Sequence, residues 1–181
     1  MESPATSLIL RPLDLPDAEV MARWAADPEF CHAAGWTMGL PSAHYRRFHE
    51  ELIRSPPAEL TRLGAVRVGD LAGYVDLHGD APDRRELGFV IGVRSRWGRG
   101  LGRSAAAAGL DYGFGRLGLS EIWAEAFDAN LRSIRILQRL GLRETGRGDD
   151  GVFLDQPTYY RRFAITAKDW AMNRHGDTAD A

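Results

Sequence analysis

Apolar residues recur along the chain with two different periods, and the switches between them mark out its elements. Leu8, Leu10 and Leu13 sit in a short first strand, and Asp14, Pro16 and Asp17 then give the start signals of a helix carrying Val20, Met21 and Trp24. The Asp27-Pro28 pair reads as the end of that helix. Ser42 caps a second, on which Tyr45, Phe48 and Leu52 fall at helical spacing until Ser55-Pro56-Pro57 stops the chain. Two helices are therefore expected ahead of the sheet. Residues 63–68 and 71–77 read as strands joined at Gly69-Asp70, and a loop over 79–84 leads to a third strand at 86–93. Ala106, Leu110, Phe114 and Leu117 form the stripe of a further helix closed by Gly118, and residues 122–127 alternate as a strand. Asn130 caps a helix carrying Ile134, Leu137 and Leu140, with Gly141 as its stop, and residues 152–154 and 159–165 supply late strands. The early strands should be antiparallel, and the strand–helix–strand unit in the middle parallel. The sum is a mixed α/β fold of the α+β kind: a mostly antiparallel sheet of about seven strands flanked by about four helices.

Composition narrows the function classes. The 181 residues, 44% of them apolar, suffice for one domain over 1–181, with an ordered core over 7–170 and loose ends at 1–6 and 175–181. A net charge of −2 argues against bulk nucleic-acid binding. Cys31 is alone, so no intrachain disulfide forms, and the five histidines lack the spacing of a metal site. No apolar run approaches the ~18 residues needed to span a membrane. No charged-then-apolar leader opens the chain, so a cytoplasmic protein with no membrane partner is expected.

The chemistry concentrates after the third strand. There an apolar run (Leu87, Gly88, Phe89, Val90, Ile91) feeds the turn Ser95-Arg96-Trp97-Gly98-Arg99-Gly100-Leu101-Gly102-Arg103-Ser104. Alternate glycines let a ligand approach the backbone, and the alanine-rich segment that follows opens a helix whose first amides point back at the turn. Such a helix start attracts anions, and Arg99 and Arg103 add formal charge, so a diphosphate is the natural guest. A Walker loop is ruled out because no Lys precedes Ser104. Gly100-x-Gly102-x-x-Ala105 matches a relaxed dinucleotide fingerprint, with Glu121 or Glu125 about 20 residues downstream. That fold, however, needs more strand–helix repeats than the single unit here.

The runs Glu86-Leu87-Gly88-Phe89-Val90-Ile91-Gly92, Arg96-Trp97-Gly98-Arg99-Gly100-Leu101-Gly102 and Asn130-Leu131-Arg132-Ser133-Ile134-Arg135-Ile136-Leu137-Gln138-Arg139-Leu140-Gly141-Leu142 together resemble the GNAT superfamily of acetyl-CoA-dependent N-acetyltransferases. The likeness is closest to the branch of ribosomal-protein N-terminal and polyamine acetyltransferases, and the order of elements extends it over nearly the whole chain. Trp97 stands where Gln or Arg commonly opens the turn, and Leu142 where Phe is common. The resemblance implies a fold with a V-shaped splay holding coenzyme A. It implies amides from Gly98, Arg99, Gly100, Leu101 and Gly102, with Arg103 and Ser104, around the pyrophosphate. The strand edge at Ile91 and Val93 would lie along the pantetheine arm, with Asn130 and Ser133 beside the thioester.

By the same resemblance Ser133 is a candidate to protonate the leaving thiolate, and Glu86 the candidate base, with Glu125 and Asp76 in reserve. Tyr159 and Tyr160 face opposite sides of a strand, so one of them, taken as Tyr160, reaches the acceptor site as an alternative acid. Glu86 also reads as a plain solvated strand start, and Asn130 with Ser133 as a helix cap. Residues 30–41 and 79–85 are expected to wall the acceptor site. Glu29, Glu50, Glu51, Asp76 and Asp80 would make its mouth acidic and attract a cationic amine. The acceptor stays open between a protein N-terminus, such as that of a ribosomal protein, and a small amine or antibiotic. A non-catalytic acyl-CoA sensor and an RNA-associated module are the alternatives from other classes. A late strand is the element that would pair across a homodimer.

Overall fold

The computed structural model describes residues 8–176, so the loose end predicted at 1–6, and that predicted at 175–181 from 177 onward, lie outside the described residues. A short strand β1 (Ile9–Pro12) leads into helices α1 (Leu15–Trp24), α2 (Pro28–Ala34) and α3 (Ser42–Arg54), then β2 (Leu60–Arg67), β3 (Asp70–His78) and β4 (Arg84–Ile91). Helix α4 (Leu101–Gly115), β5 (Glu121–Phe127), α5 (Leu131–Arg139), β6 (Arg143–Phe153), β7 (Gln156–Thr166) and α6 (Ala167–Gly176) follow. The seven strands form one sheet in the order β1-β2-β3-β4-β5-β7-β6, antiparallel except between β4 and β5.

The start signals at α1 act as their chemistry dictates, but Ser42 is not the cap expected of it: Pro41 holds the cap position of α3 with no side-chain bond, and Ser42 is the first helical residue. The Asp14 side chain and Asp17 form a reciprocal capping box at α1, and Arg11 of β1 grips the Asp17 carboxylate at 2.6 and 2.8 Å, which ties the first strand to the first helix. Asp27-Pro28 proves to be a beginning as well as an end. Asp27 Oδ1 accepts the Glu29 amide at 3.0 Å, Pro28 occupies the first helical position, and Gly35 closes α2 at φ 69°. Three helices thus precede the sheet where two were expected, because seven residues are too few to show a helical period. Helix α6 runs to Gly176, past the expected loose end at 175. The longest correction is β6, expected at 152–154 but reaching back to Arg143. Its sequence, Arg-Glu-Thr-Gly-Arg-Gly-Asp-Asp-Gly-Val-Phe, is polar because it is an exposed edge strand held by its ladder to β7.

Two layers of helix sandwich the sheet. On one face Ala105, Ala106 and Leu110 of α4 pack with Leu87, Ile122 and Leu137. A Cβ at Gly109 would lie 2.7 Å from Val75 and 2.8 Å from Leu87, so this helix needs a glycine to sit so close to the strands. On the other face Met21, Trp24, Phe30 and Tyr74 form a second cluster. Trp24 rests directly on Gly92, where a Cβ would come within 2.0 Å of the indole.

The feature that positions the site is a parting of strands. β4 and β5 pair only at Arg84↔Glu121, Arg85↔Ile122 and Glu86↔Trp123, although β4 continues to Ile91 and β5 to Phe127. Beyond Glu86 the two diverge. The Gly92 amide bonds to the Ala72 carbonyl on β3, so strand alternation turns the amides of Phe89 and Ile91 the other way, into the gap.

Candidate active site

A cleft of about 660 Å³ opens where the strands part. Its floor is Leu87, Gly88, Phe89 and Val90 of β4 against Glu125, Ala126 and Phe127 of β5, and Asn130, Ser133 and Tyr160 stand along one side. Asn130 caps α5, its Oδ1 accepting the Ser133 amide at 3.2 Å, which leaves the Ser133 hydroxyl uncommitted. Tyr160 stacks on Phe127 with ring centroids 3.9 Å apart. Burial first, then the carboxylates of Glu125 and Glu86, push its phenol above the ordinary value, so it stays protonated at neutral pH.

The two carboxylates at the strand junction differ in state. Glu125 lines the cleft and is held by Arg162 at 2.5 Å. Glu86 precedes Leu87 on β4 but does not itself line the cleft; it is half-buried, with no hydrogen bond or ion pair among the described residues. Its carboxyl is raised above the ordinary value by burial and then by Glu125. Asp76, the other reserve base, is engaged by Arg62 through two bonds of 2.6 and 2.7 Å.

Beyond Phe89 lies the glycine turn. Gly98 and Gly100 adopt φ 73° and 82° with open space where a side chain would go. Gly100 caps α4 without any side-chain bond, and the first intrahelical bond runs from the Ser104 amide to the Gly100 carbonyl, leaving the amides of Leu101, Gly102 and Arg103 without an intrahelical acceptor. Gly102 serves a different end, since a Cβ there would press Ile136 at 3.0 Å and approach Phe89 at 3.7 Å. It brings the helix start against both β4 and α5. The Trp97 indole donates to the Ile91 carbonyl at 2.8 Å, and the Arg132 guanidinium lies 5.3 Å from the Trp97 ring, which pins the turn to the end of β4.

Of the four arginines around the turn, Arg94 is committed to Asp27 and Glu29 and Arg96 to Asp70, while Arg99 and Arg103 make no such contact among the described residues. Val93 lies past the end of β4 and lines a separate hollow against α1, with Trp24 and Arg94. A free amide cradle flanked by two uncommitted guanidiniums fits a diphosphate, and the open edge of β4 fits an extended amide-bearing chain.

The acceptor side departs from expectation. Residues 33–37 and Leu40 form one wall, as expected of the 30–41 segment, but none of 79–85 lines the cleft. The wall is continued by α3, through His44, Tyr45, Phe48 and His49, with the Tyr45 hydroxyl donating to the Thr37 carbonyl. The acidic mouth does not form: Asp76 alone of the five expected carboxylates lines the cleft, while Glu29 is bound to Arg94 and Glu50 to Arg46 and Arg54. His49, Arg62 and Tyr74 are the cleft residues that sequence reasoning missed. Only the helical spacing of Tyr45, Phe48 and Leu52, which puts His49 one turn from Tyr45, hinted at them.

The Acetyltransferase (GNAT) domain family matches residues 7–143. The uncharacterized N-acetyltransferase p20 of Bacillus licheniformis is 26% identical over 77% of this chain and 80% of its own length. Among solved structures, a GNAT-family acetyltransferase of Bacillus anthracis superposes with a TM-score of 0.76 at 20% identity, covering 91% of this chain and 97% of that one. The spermidine N-acetyltransferase of Vibrio cholerae, in complex with CoA and spermine, does so with a TM-score of 0.79 at 18% identity, covering 92% and 99%. At these identities the superpositions establish the fold. Among the described residues no helix is long and apolar enough to cross a membrane, and no group of three His, Cys, Asp or Glu is placed to hold a metal.

Proposed function

This chain belongs to the GNAT acetyltransferase family, and from that premise we propose that it acetylates a primary amine by direct attack on acetyl-CoA within the cleft between β4 and β5. The observation that carries the reading is the parting of those strands, which turns the Phe89 amide into the cleft with Glu125, Ser133 and Tyr160 and leaves the Ile91 amide unpaired by β5. Acetyl-CoA, the co-substrate, supplies the acetyl group as a thioester.

The residues divide the work by position. The amides of Gly98, Arg99, Gly100, Leu101, Gly102 and Arg103, with the Ser104 hydroxyl and the guanidiniums of Arg99 and Arg103, hold the diphosphate. The open edge of β4 at Ile91 holds the pantetheine arm, the main chain at Val93 leads it toward the turn while the Val93 side chain lines the separate hollow, and the Phe89 amide, beside Ser133 and Tyr160, polarises the thioester carbonyl. Glu86, raised by burial and free of any cation at contact distance, takes the proton of the incoming ammonium through water at the cleft floor. Glu125, paired with Arg162, adds to burial in raising Glu86. Tyr160, protonated and on the cleft wall, returns a proton to the departing thiolate, with the Asn130-capped Ser133 hydroxyl beside it.

The test is calorimetric titration with acetyl-CoA, followed by a thiol-release assay over polyamines, small monoamines and N-terminal peptides. Binding accompanied by release on at least one amine is expected. Absence of acetyl-CoA binding in the folded protein would overturn the assignment of the glycine turn, and binding without release would overturn the catalytic one.

A further inference from the structure

The acceptor half of the cleft is built from rings. Trp36, Tyr45, Phe48, His49 and Tyr74 line it, with Trp36 stacked on Tyr45 at 6.2 Å and 4.9 Å from the His49 ring. Nearly every polar group among them is already engaged by protein. The Trp36 indole donates to the Tyr74 hydroxyl at 3.2 Å, and the Tyr45 hydroxyl donates to the Thr37 carbonyl at 2.6 Å. Arg62 covers the Tyr74 ring at 4.1 Å and is forked onto Asp76. The one charged pair on this side is therefore neutral as a unit, and what the walls offer a guest is ring surface.

His49 is the exception. It is 2% exposed, lines the cleft, and neither ring nitrogen has a hydrogen-bonding partner. An unpaired buried polar group is costly to a fold and is rarely kept unless something completes it. Burial, reinforced by the Arg62 guanidinium, pushes the imidazole down to about 4, so at neutral pH it offers one N–H donor and one lone pair and no charge. An ammonium, a donor alone, can use only the lone pair of such a group. A hydroxyl gains a bond with either nitrogen.

Resting on the transferase reading above, we propose that the acceptor is an arylalkylamine: a monocationic primary amine carried on a flat aromatic body that fills the ring-lined chamber, with a hydroxyl at its far end bonded to His49. A polyamine is the poorer fit, because the extra ammonium groups would meet no unpaired carboxylate among the described residues that line the cleft. Asp76 is bound to Arg62, and Glu125 to Arg162.

Three probes separate the outcomes: tyramine, phenethylamine (the same amine without the hydroxyl) and spermidine. Their binding to the CoA-loaded protein is measured by calorimetry, and their turnover with acetyl-CoA by thiol release. Tyramine is expected to bind about tenfold more tightly than phenethylamine, the worth of one hydrogen bond to an otherwise orphaned buried group. Both should exceed spermidine in kcat/KM. His49→Phe keeps a ring and removes both nitrogens, so it should abolish the tyramine preference, read as the ratio of tyramine to phenethylamine affinity within the same variant. His49→Gln should keep part of the preference. Spermidine turnover well ahead of both arylalkylamines would overturn the substrate class. Equal binding of tyramine and phenethylamine to the wild type would overturn the role of His49, whether or not the variants fold. Acetyl-CoA binding with no release on either arylalkylamine would overturn the inference and leave the cofactor site standing. Failure to bind acetyl-CoA at all would instead mark the failure of the transferase reading beneath it.

Discussion

Two carboxylates at the same strand junction are held in opposite conditions by their neighbours: Glu125 by an Arg162 contact of 2.5 Å, Glu86 by burial and by Glu125 itself. Glu86→Gln keeps the shape and removes the base, so kcat should fall by on the order of 100-fold with acetyl-CoA affinity unchanged, checked by thiol release and calorimetry. The same substitution tests the electrostatics. A carboxyl whose folded pKa is raised destabilises the fold as pH rises from its ordinary value, about 4.3, through the raised one. The Gln variant should therefore be the more stable protein at pH 8, and the difference should close by pH 4, as read from urea midpoints at both. Tyr160→Phe retains the stack on Phe127, so a loss of about tenfold or more in kcat without a shift in Tm would isolate the hydroxyl as the proton donor.

The hairpin between β2 and β3 shows a local cost within an element. Its two central residues are Val68 and Gly69 at φ 52° and 84°, one position earlier than the Gly69-Asp70 turn that the sequence signals. Both positions need the left-handed region, which a β-branched side chain resists, and Val68 is 78% exposed with no packing to compensate. Val68→Asn should stabilise the protein by about 1 kcal/mol, measured by chemical denaturation. The glycine turn poses the converse case. Gly100 at φ 82° caps α4 with open space around it, so Gly100→Val would strain the backbone and place a branched side chain over the free amides. Acetyl-CoA affinity is expected to drop at least tenfold while the far-UV spectrum persists. Unchanged affinity would remove the turn from the site.

Across the whole molecule, the helical layer carrying the acceptor wall packs on the sheet through Met21, Trp24 and Phe30, and Trp24 on Gly92 is a close approach that admits no side chain. Gly92→Ala would set a methyl within 2.0 Å of the indole and push the α1–α3 layer off the strands. Overpacking of this kind costs about 1–3 kcal/mol. Because that layer supplies His49 and Trp36, the substitution should also raise KM for the amine more than it changes acetyl-CoA affinity. A variant with wild-type KM would mean that the acceptor wall is held independently of this contact.

What the sequence determined by itself is whatever is written locally. Capping residues, hydrophobic period and turn glycines located α1, α3, α4, α5 and the central strands, and the Asn130 cap and the left-handed glycines at 98 and 100 lie where local chemistry required them. Helix α2 was legible too, in Asp27, Pro28 and Gly35, but its start was read as another helix's stop. β6 was not, because an exposed edge strand is specified by its ladder to a partner and not by its own side chains. Tertiary structure alone decided where β4 and β5 part, and with it which amides face the gap. It alone set Asp76 on Arg62, emptied the expected acidic mouth, and brought His49 from α3 across to Arg62 and Tyr74 of the sheet. Pairing and burial join residues far apart in the chain, and the state of a charge or an imidazole depends on those distant neighbours more than on its own place in the sequence.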